Sequence, residues 1–232
     1  MKLVIFNGSP RYKQSNSKLL IDQFLLGYNK ICSHDVPVYY LANRKEQDEH
    51  KEIFQNAETI IIVFPLYTDC MPGIVKEFFE HIAELKPASS KKIGFIVQSG
   101  FPESIQSTYV ERYLEKFTRR IQCEYLGTII KAGVEGIQVK PPVMTKKLFG
   151  QFQSLGEYFA KKQGFSPEIK KVLLKPYKRS PIKIFLIKLI SITGLTNFYW
   201  DHYLKKNNAY NNRFDKPYED LNYSTKLNAQ NS

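Results

Sequence analysis

The chain has 232 residues, 43% of them hydrophobic and 14% aromatic, which excludes wholesale disorder and leaves room for one α/β domain of about 150–200 residues with an appendage. No apolar run reaches the roughly 20 residues that cross a bilayer, and Cys32, Cys70 and Cys123 are too scattered for a disulfide framework or a metal-ligand spacing. Lys and Arg number 34 against 22 Asp and Glu, a formal charge of +12; the excess suits a nucleic acid, a membrane surface, an anionic ligand or a solvated tail alike.

The first apolar run, Lys2–Phe6, stops at Gly8. It reads as a strand buried on both faces, and the turn arrives too early for a signal peptide, so a cytoplasmic chain is expected. Three cysteines without a disulfide pattern agree with a reducing compartment. Ser17–Ile31 has Leu20, Phe24, Tyr28 and Ile31 at helical spacing. Val36–Leu41 follows as a strand that Pro37 confines to a sheet edge, then a charged helix over Glu46–Glu58 with Ile53, Phe54 and Ala57 as its apolar side. Thr59–Phe64 is the clearest strand. Behind Pro72-Gly73, the stripe Ile74, Val75, Phe78, Phe79, Ile82 and Ala83 marks a helix. Ile93–Val97 and Tyr125–Ala132 are strands, with Val110, Tyr113, Leu114, Phe117 and Ile121 forming a helical stripe between them. Leu148, Phe149, Phe152, Leu155 and Phe159 give a fifth helix. Five strands alternating with five helices predict a doubly wound parallel sheet with helices on both faces, and ligands in such sheets bind at the carboxyl ends of the strands.

The turns at those ends are therefore the candidate site. Asn7-Gly8-Ser9-Pro10-Arg11, with Ser15-Asn16-Ser17 before a helix, is neither a Walker A loop nor a three-glycine dinucleotide fingerprint. It is rich in hydroxyl and amide groups and feeds a helix N-terminus, which suits an anion; the alternative is plain N-capping by Asn16 or Ser17. Pro65-Leu66-Tyr67 and Met71-Pro72 make an apolar loop where solvent would favour polarity, suited to a flat ring or a subunit interface. Ser99-Gly100-Phe101 and Gly133 lie in the loops after the fourth and fifth strands, where glycine allows backbone to approach a ligand.

The first of these loops resembles the phosphate loop of the NAD(P)H-dependent FMN reductases, flavoproteins of flavodoxin-like fold. Pro65-Leu66-Tyr67, Met71-Pro72-Gly73, Lys76 and Phe78-Phe79 are similar to the same family's ring-flanking signature. The resemblance covers roughly residues 1–165. It implies a flavodoxin-like domain over 1–165, a bound FMN, NADPH or NADH as co-substrate, and a homodimer. It implies Ser9, Arg11, Ser15, Asn16 and Ser17 around the phosphate, and Pro65, Leu66, Tyr67 and Met71 beside the ring. Ser99, Gly100, Phe101 and Gly133 join them by position alone. The chemistry then belongs to the cofactor, with no catalytic side chain and no metal. Electrons would pass to a quinone, free flavin, nitro compound or protein. The three cysteines do not match the compact cluster of the iron–sulfur relatives.

Residues 166–232 form a basic, partly helical extension with twelve basic and five acidic residues. Within it Ile182–Leu195 is apolar nearly all round but too short to span a bilayer. It is expected to pack on the domain or a second subunit, or to cover the cofactor, with weak membrane-surface association through residues 180–205 as the competing reading. Leu221–Ser232 reads as a frayed polar tail. His34, His50, His81 and His202 have no ligand spacing, and Cys70 is read as a small packing residue. The aromatics follow core periodicity rather than a basic stripe, so no nucleic-acid partner is expected. Two other functions compete with the reductase: a non-enzymatic FMN electron carrier of flavodoxin type, and a basic membrane-surface module.

Overall fold

Continuous apolar runs make strands that must be covered on both faces, and the five in this chain assemble accordingly. The computed structural model describes residues 3–85, 91–194 and 197–216. Its strands are β1 (Leu3–Asn7), β2 (Val38–Tyr40), β3 (Thr59–Pro65), β4 (Lys92–Gln98) and β5 (Glu124–Lys131). They pair in parallel in the order β2-β1-β3-β4-β5, the flavodoxin-like arrangement. Edge strand β2 is cut to three residues. Pro37, which lacks an N–H, stands just outside it, and its carbonyl accepts from Ile5 N at 3.1 Å.

Alternate residues of each strand serve opposite layers. Val4, Phe6, Ile60, Ile62, Phe64, Phe95 and Val97 face a core closed by three helices: α2 (Gln47–Asn56), α3 (Gly73–Ala83) and α4 (Ser107–Arg120). Leu3, Ile5, Ile61, Val63, Ile96 and Ile129 face the opposite core, closed by α1 (Asn16–Tyr28) and α5 (Pro142–Lys162). The stripe expected on α3 is buried at Val75, Phe78, Phe79 and Ile82, while Ala83 is exposed.

Helices α1 and α5 cross in contact through backbone. A Cβ on Gly27 would stand 1.8 Å from the Gln153 carbonyl oxygen, and one on Gly156 would stand 1.9 Å from that of Phe24. Only hydrogen fits at either position. The crossing sets where α1 begins, and with it the loop after β1.

The basic stretch after α5 contains an unanticipated helix, α6 (Pro167–Leu173), whose Ser166 hydroxyl accepts from Ile169 N at 3.2 Å. Residues 166–179 join the first compact unit, which closes at Arg179. Leu173 and Ile169 pack into the α1/α5 core, and Phe165 lies over Gly94. Ser104 N and Ile105 N donate to the carbonyls of Pro176 and Tyr177, bracing the loop after β4.

The second unit begins at Ser180 and contains α7 (Pro181–Ile192) and α8 (Phe198–Lys206). Ile182, Phe185, Leu189 and Ile192 on α7 are exposed. No helix among the described residues is long and apolar enough to cross a membrane. Behind α8 the Arg213 guanidinium lies 4.0 Å from the centre of the Tyr210 ring. Lys2, Leu195 and the Leu221–Ser232 tail fall outside the described residues.

Gly156→Ala should lower stability by about 3 kcal/mol or more, because backbone cannot yield as a side chain would. Gly150→Ala, on the same helix with nothing within 4 Å of its Cβ, should be neutral or gain up to about 1 kcal/mol. Thermal unfolding of the two variants checks the contrast.

Candidate cofactor site

From β1 the chain runs to the edge strand β2 and then returns past β1 to β3. The carboxyl ends of β1 and β3 are therefore the switch point where a crevice opens. The first loop there is organised by Asn7, which is fully buried. Its Oδ1 accepts from Ser9 N at 3.0 Å and its Nδ2 donates to Ser15 Oγ at 3.3 Å. Gly8 follows because the loop lies against α3: a Cβ there would meet Val75 Cγ2 at 2.4 Å.

Ser15, rather than Asn16 or Ser17, is the N-cap of α1. Its Oγ accepts from Lys18 N at 3.1 Å and donates to the Tyr12 carbonyl at 2.8 Å. The N–H groups of Asn16 and Ser17 have no intrahelical acceptor, as the first turn of any helix requires. Two buried hydroxyls stand beside them with acceptor duties only: Ser9 Oγ takes Arg11 N at 3.3 Å, and Ser17 Oγ takes Gln98 Nε2 at 3.4 Å. Each keeps its proton to donate elsewhere. Arg11 is exposed at the loop's tip. The set comprises N–H donors, hydroxyl donors, one fixed cation and a helix's positive end, and it fits a phosphate.

The loop after β3 starts from buried Pro65 and Leu66 and returns through buried Met71. Between them Tyr67 and Cys70 exchange backbone hydrogen bonds of 2.8 and 3.0 Å around Thr68 and Asp69, whose φ angles are +50° and +60°. A β-branched residue rarely adopts that conformation, and such strain concentrates at functional loops. The turn lifts Tyr67 to 43% exposure. Cys70, expected to pack, is exposed on it.

Backbone hydrogen bonds join these loops in series. Gly8 N donates to the Val63 carbonyl, Leu66 N to Gln98, Ser99 N to Lys131, Val134 N to Ser99 and Gly133 N to Phe101, at 2.7–3.1 Å. Asn16 Nδ2 closes the circuit on the Val134 carbonyl at 3.0 Å. The thirteen residues singled out in the sequence thus lie on four connected loops at one edge of the sheet. Asn7, Gln98 and Val134 were not singled out. Asn7 had a readable signal, an Asn-Gly-Ser turn; the other two act through tertiary contacts.

Two of the thirteen carry a buried side-chain atom with no hydrogen bond at all. Asn16 Oδ1 and Ser99 Oγ are buried without a hydrogen-bond partner. With its Nδ2 committed to Val134, Asn16 offers an acceptor, suited to a hydroxyl rather than to a phosphate oxygen. Ser104 Oγ, Gln106 Oε1 and Ser107 Oγ are further unpartnered atoms just beyond Phe101. A phosphorylated ligand with hydroxyls and a polar-edged ring would satisfy Asn16 Oδ1 and Ser99 Oγ. His50 belongs to the core: its ring is buried against Phe6 and Tyr39, and burial pushes its pKa down.

A family model described as the flavodoxin-like fold matches residues 1–148, and the chain belongs to that family. Solved structures share the fold. An FMN-dependent NADH-azoreductase from Bacillus anthracis str. Ames Ancestor, in complex with FMN, superposes with a TM-score of 0.53 at 16% identity, over 69% of this chain and 100% of that one. For an NAD(P)H:quinone oxidoreductase from Methanothermobacter marburgensis the TM-score is 0.55 at 13% identity, covering 68% and 95%. General stress protein 14 of Treponema denticola, in complex with FMN, gives 0.52 at 13%, covering 68% and 99%. A search of curated proteins found no match.

Ser99→Ala should act in opposite directions on the two states. Without ligand it removes a buried hydroxyl that has no partner, raising stability by about 1 kcal/mol. With FMN present it should cost several-fold in affinity. Thermal melts with and without FMN check both signs.

Proposed function

We propose that the chain is an FMN-dependent NAD(P)H oxidoreductase, passing electrons from a nicotinamide to a quinone, flavin, nitro, azo or protein acceptor. The observation that carries the reading is the convergence at one switch point of an open helix N-terminus, buried donors and an apolar loop. The azoreductase and quinone oxidoreductase that share the fold support it. Bound FMN supplies two-electron acceptance from a nicotinamide and one- or two-electron delivery to an acceptor.

The chain's own part is holding and shaping. The N–H groups of Asn16 and Ser17, the hydroxyls of Ser9 and Ser17, and Arg11 hold the phosphate, while Ser15 keeps the loop in shape as the cap. Asn16 Oδ1 accepts from a ribityl hydroxyl. Pro65, Leu66 and Met71, buried beneath the loop, hold it in place beside the ring, and exposed Tyr67 and Phe101 border the space for the partner substrate. Ser99 Oγ and the backbone of Gly100 and Gly133 meet the ring's polar edge. No side chain is required to move a proton. The reading includes a homodimer in the cytoplasm and a weak membrane-surface contact through residues 180–205, favoured by the exposed apolar residues of α7.

Oxygen-free mixing of the FMN-loaded protein with NADPH or NADH tests it. At ordinary enzyme rates, at least one donor should bleach the flavin absorbance within about a second. Absorbance that persists with both donors would make the protein an electron carrier instead.

A further inference from the structure

A second cavity, of about 410 Å³, opens where β5 ends, beside the first two turns of α5 and the segment after α6. Lys131, Lys140, Lys147 and Lys175 line it, with Ile137 and Val172 among its apolar residues, and no acidic side chain contributes. Lysine–carboxylate pairs do form elsewhere, as in Lys18–Asp22, Lys30–Glu157 and Lys170–Glu111. Among the described residues none of the four cavity lysines is in such a pair. Nor does α5 help to neutralise them: this 21-residue helix begins at the cavity with no acidic residue in its first turn and no side-chain cap, so its dipole adds further positive potential.

Lys131 shows the consequence. It is half-buried, its Nζ reaches only the Lys175 carbonyl at 3.4 Å, and burial together with the Lys147 ammonium pushes its pKa down. Like charges gathered around a cavity of lowered dielectric repel one another until an anion enters.

We propose that this cavity binds an organic phosphate carrying two or more negative charges, its ammonium groups taking the phosphate and Ile137 and Val172 the organic body. Two sources share that chemistry: the phosphorylated end of NADPH, or a separate phosphorylated metabolite. Only the first rests on the reductase reading. The cavity also includes Gly133, whose N–H is bonded to Phe101 at 2.7 Å, so its occupant touches the same loop that borders the ring.

Calorimetric titration of the full-length protein with adenosine 2′,5′-bisphosphate is the test, and it requires no enzymatic activity. The wild type should bind. Lys147→Ala should weaken binding about tenfold, Lys140→Ala/Lys147→Ala should weaken it further, and Lys147→Arg should restore much of it. Without ligand, Lys147→Ala should melt at the same temperature or higher, since repulsion is relieved; a merely structural lysine would lower it. No binding by the wild type, or equal binding by the double variant, would overturn the proposal. The source is then read from kinetics. A raised KM for NADPH in Lys147→Ala, with kcat and the KM for NADH unchanged, assigns the site to the donor. Unchanged KM for both donors, with bisphosphate binding weakened, assigns it to a separate metabolite.

Discussion

The start of α1, and with it the loop after β1, is positioned by the α1–α5 crossing. Gly27 and Gly156 remove the side chains that would otherwise hold the two helices apart, and each backbone then meets the other directly. That contact leaves α1 no latitude along its axis, so its first turn is fixed against the loop after β5. Asn16 can then reach the Val134 carbonyl, and Ser17 can meet Gln98 from β4. A side chain at either glycine would move the helix N-terminus before it touched the loop itself.

The hydrogen-bond circuit through the strand-end loops prearranges the site, at a visible cost. Asn16 Oδ1 and Ser99 Oγ remain buried and unpaired, and Thr68 holds a left-handed conformation. Each feature works against folding. They gather at the edge where a doubly wound sheet binds ligands, as the proposed cofactor site requires.

The strands and the helix stripes were legible in the sequence because burial on two faces leaves unbroken runs such as Thr59–Phe64, and burial on one leaves a 3.6-residue stripe. Both signatures of the site were legible for a similar reason: Asn7–Ser17 and Pro65–Gly73 are continuous segments whose chemistry is local. Less was visible where contacts are distant in sequence. Gly27 and Gly156 carry no sequence pattern that names the partner backbone each one meets. Helix α6 announces itself at Ser166-Pro167-Glu168, but its apolar residues Ile169, Val172 and Leu173 are diluted by lysines, and the whole stretch reads as a charged tail. Ser15 supplies the α1 cap one residue before the expected position. Cys70 is exposed because a turn of paired hydrogen bonds displaces it, which no periodicity records.

The proposed flavin site centres on a phosphate cradle formed by the loop after β1 and the start of α1. Titrating the flavin-free protein with FMN and, separately, with riboflavin isolates that phosphate, since the ring and ribityl chain are common to both. FMN should bind tighter by about a hundredfold, the yield of two charge-assisted hydrogen bonds at roughly 1.5 kcal/mol each, with much of the advantage lost in Arg11→Ala. Equal affinity for the two flavins would contradict it.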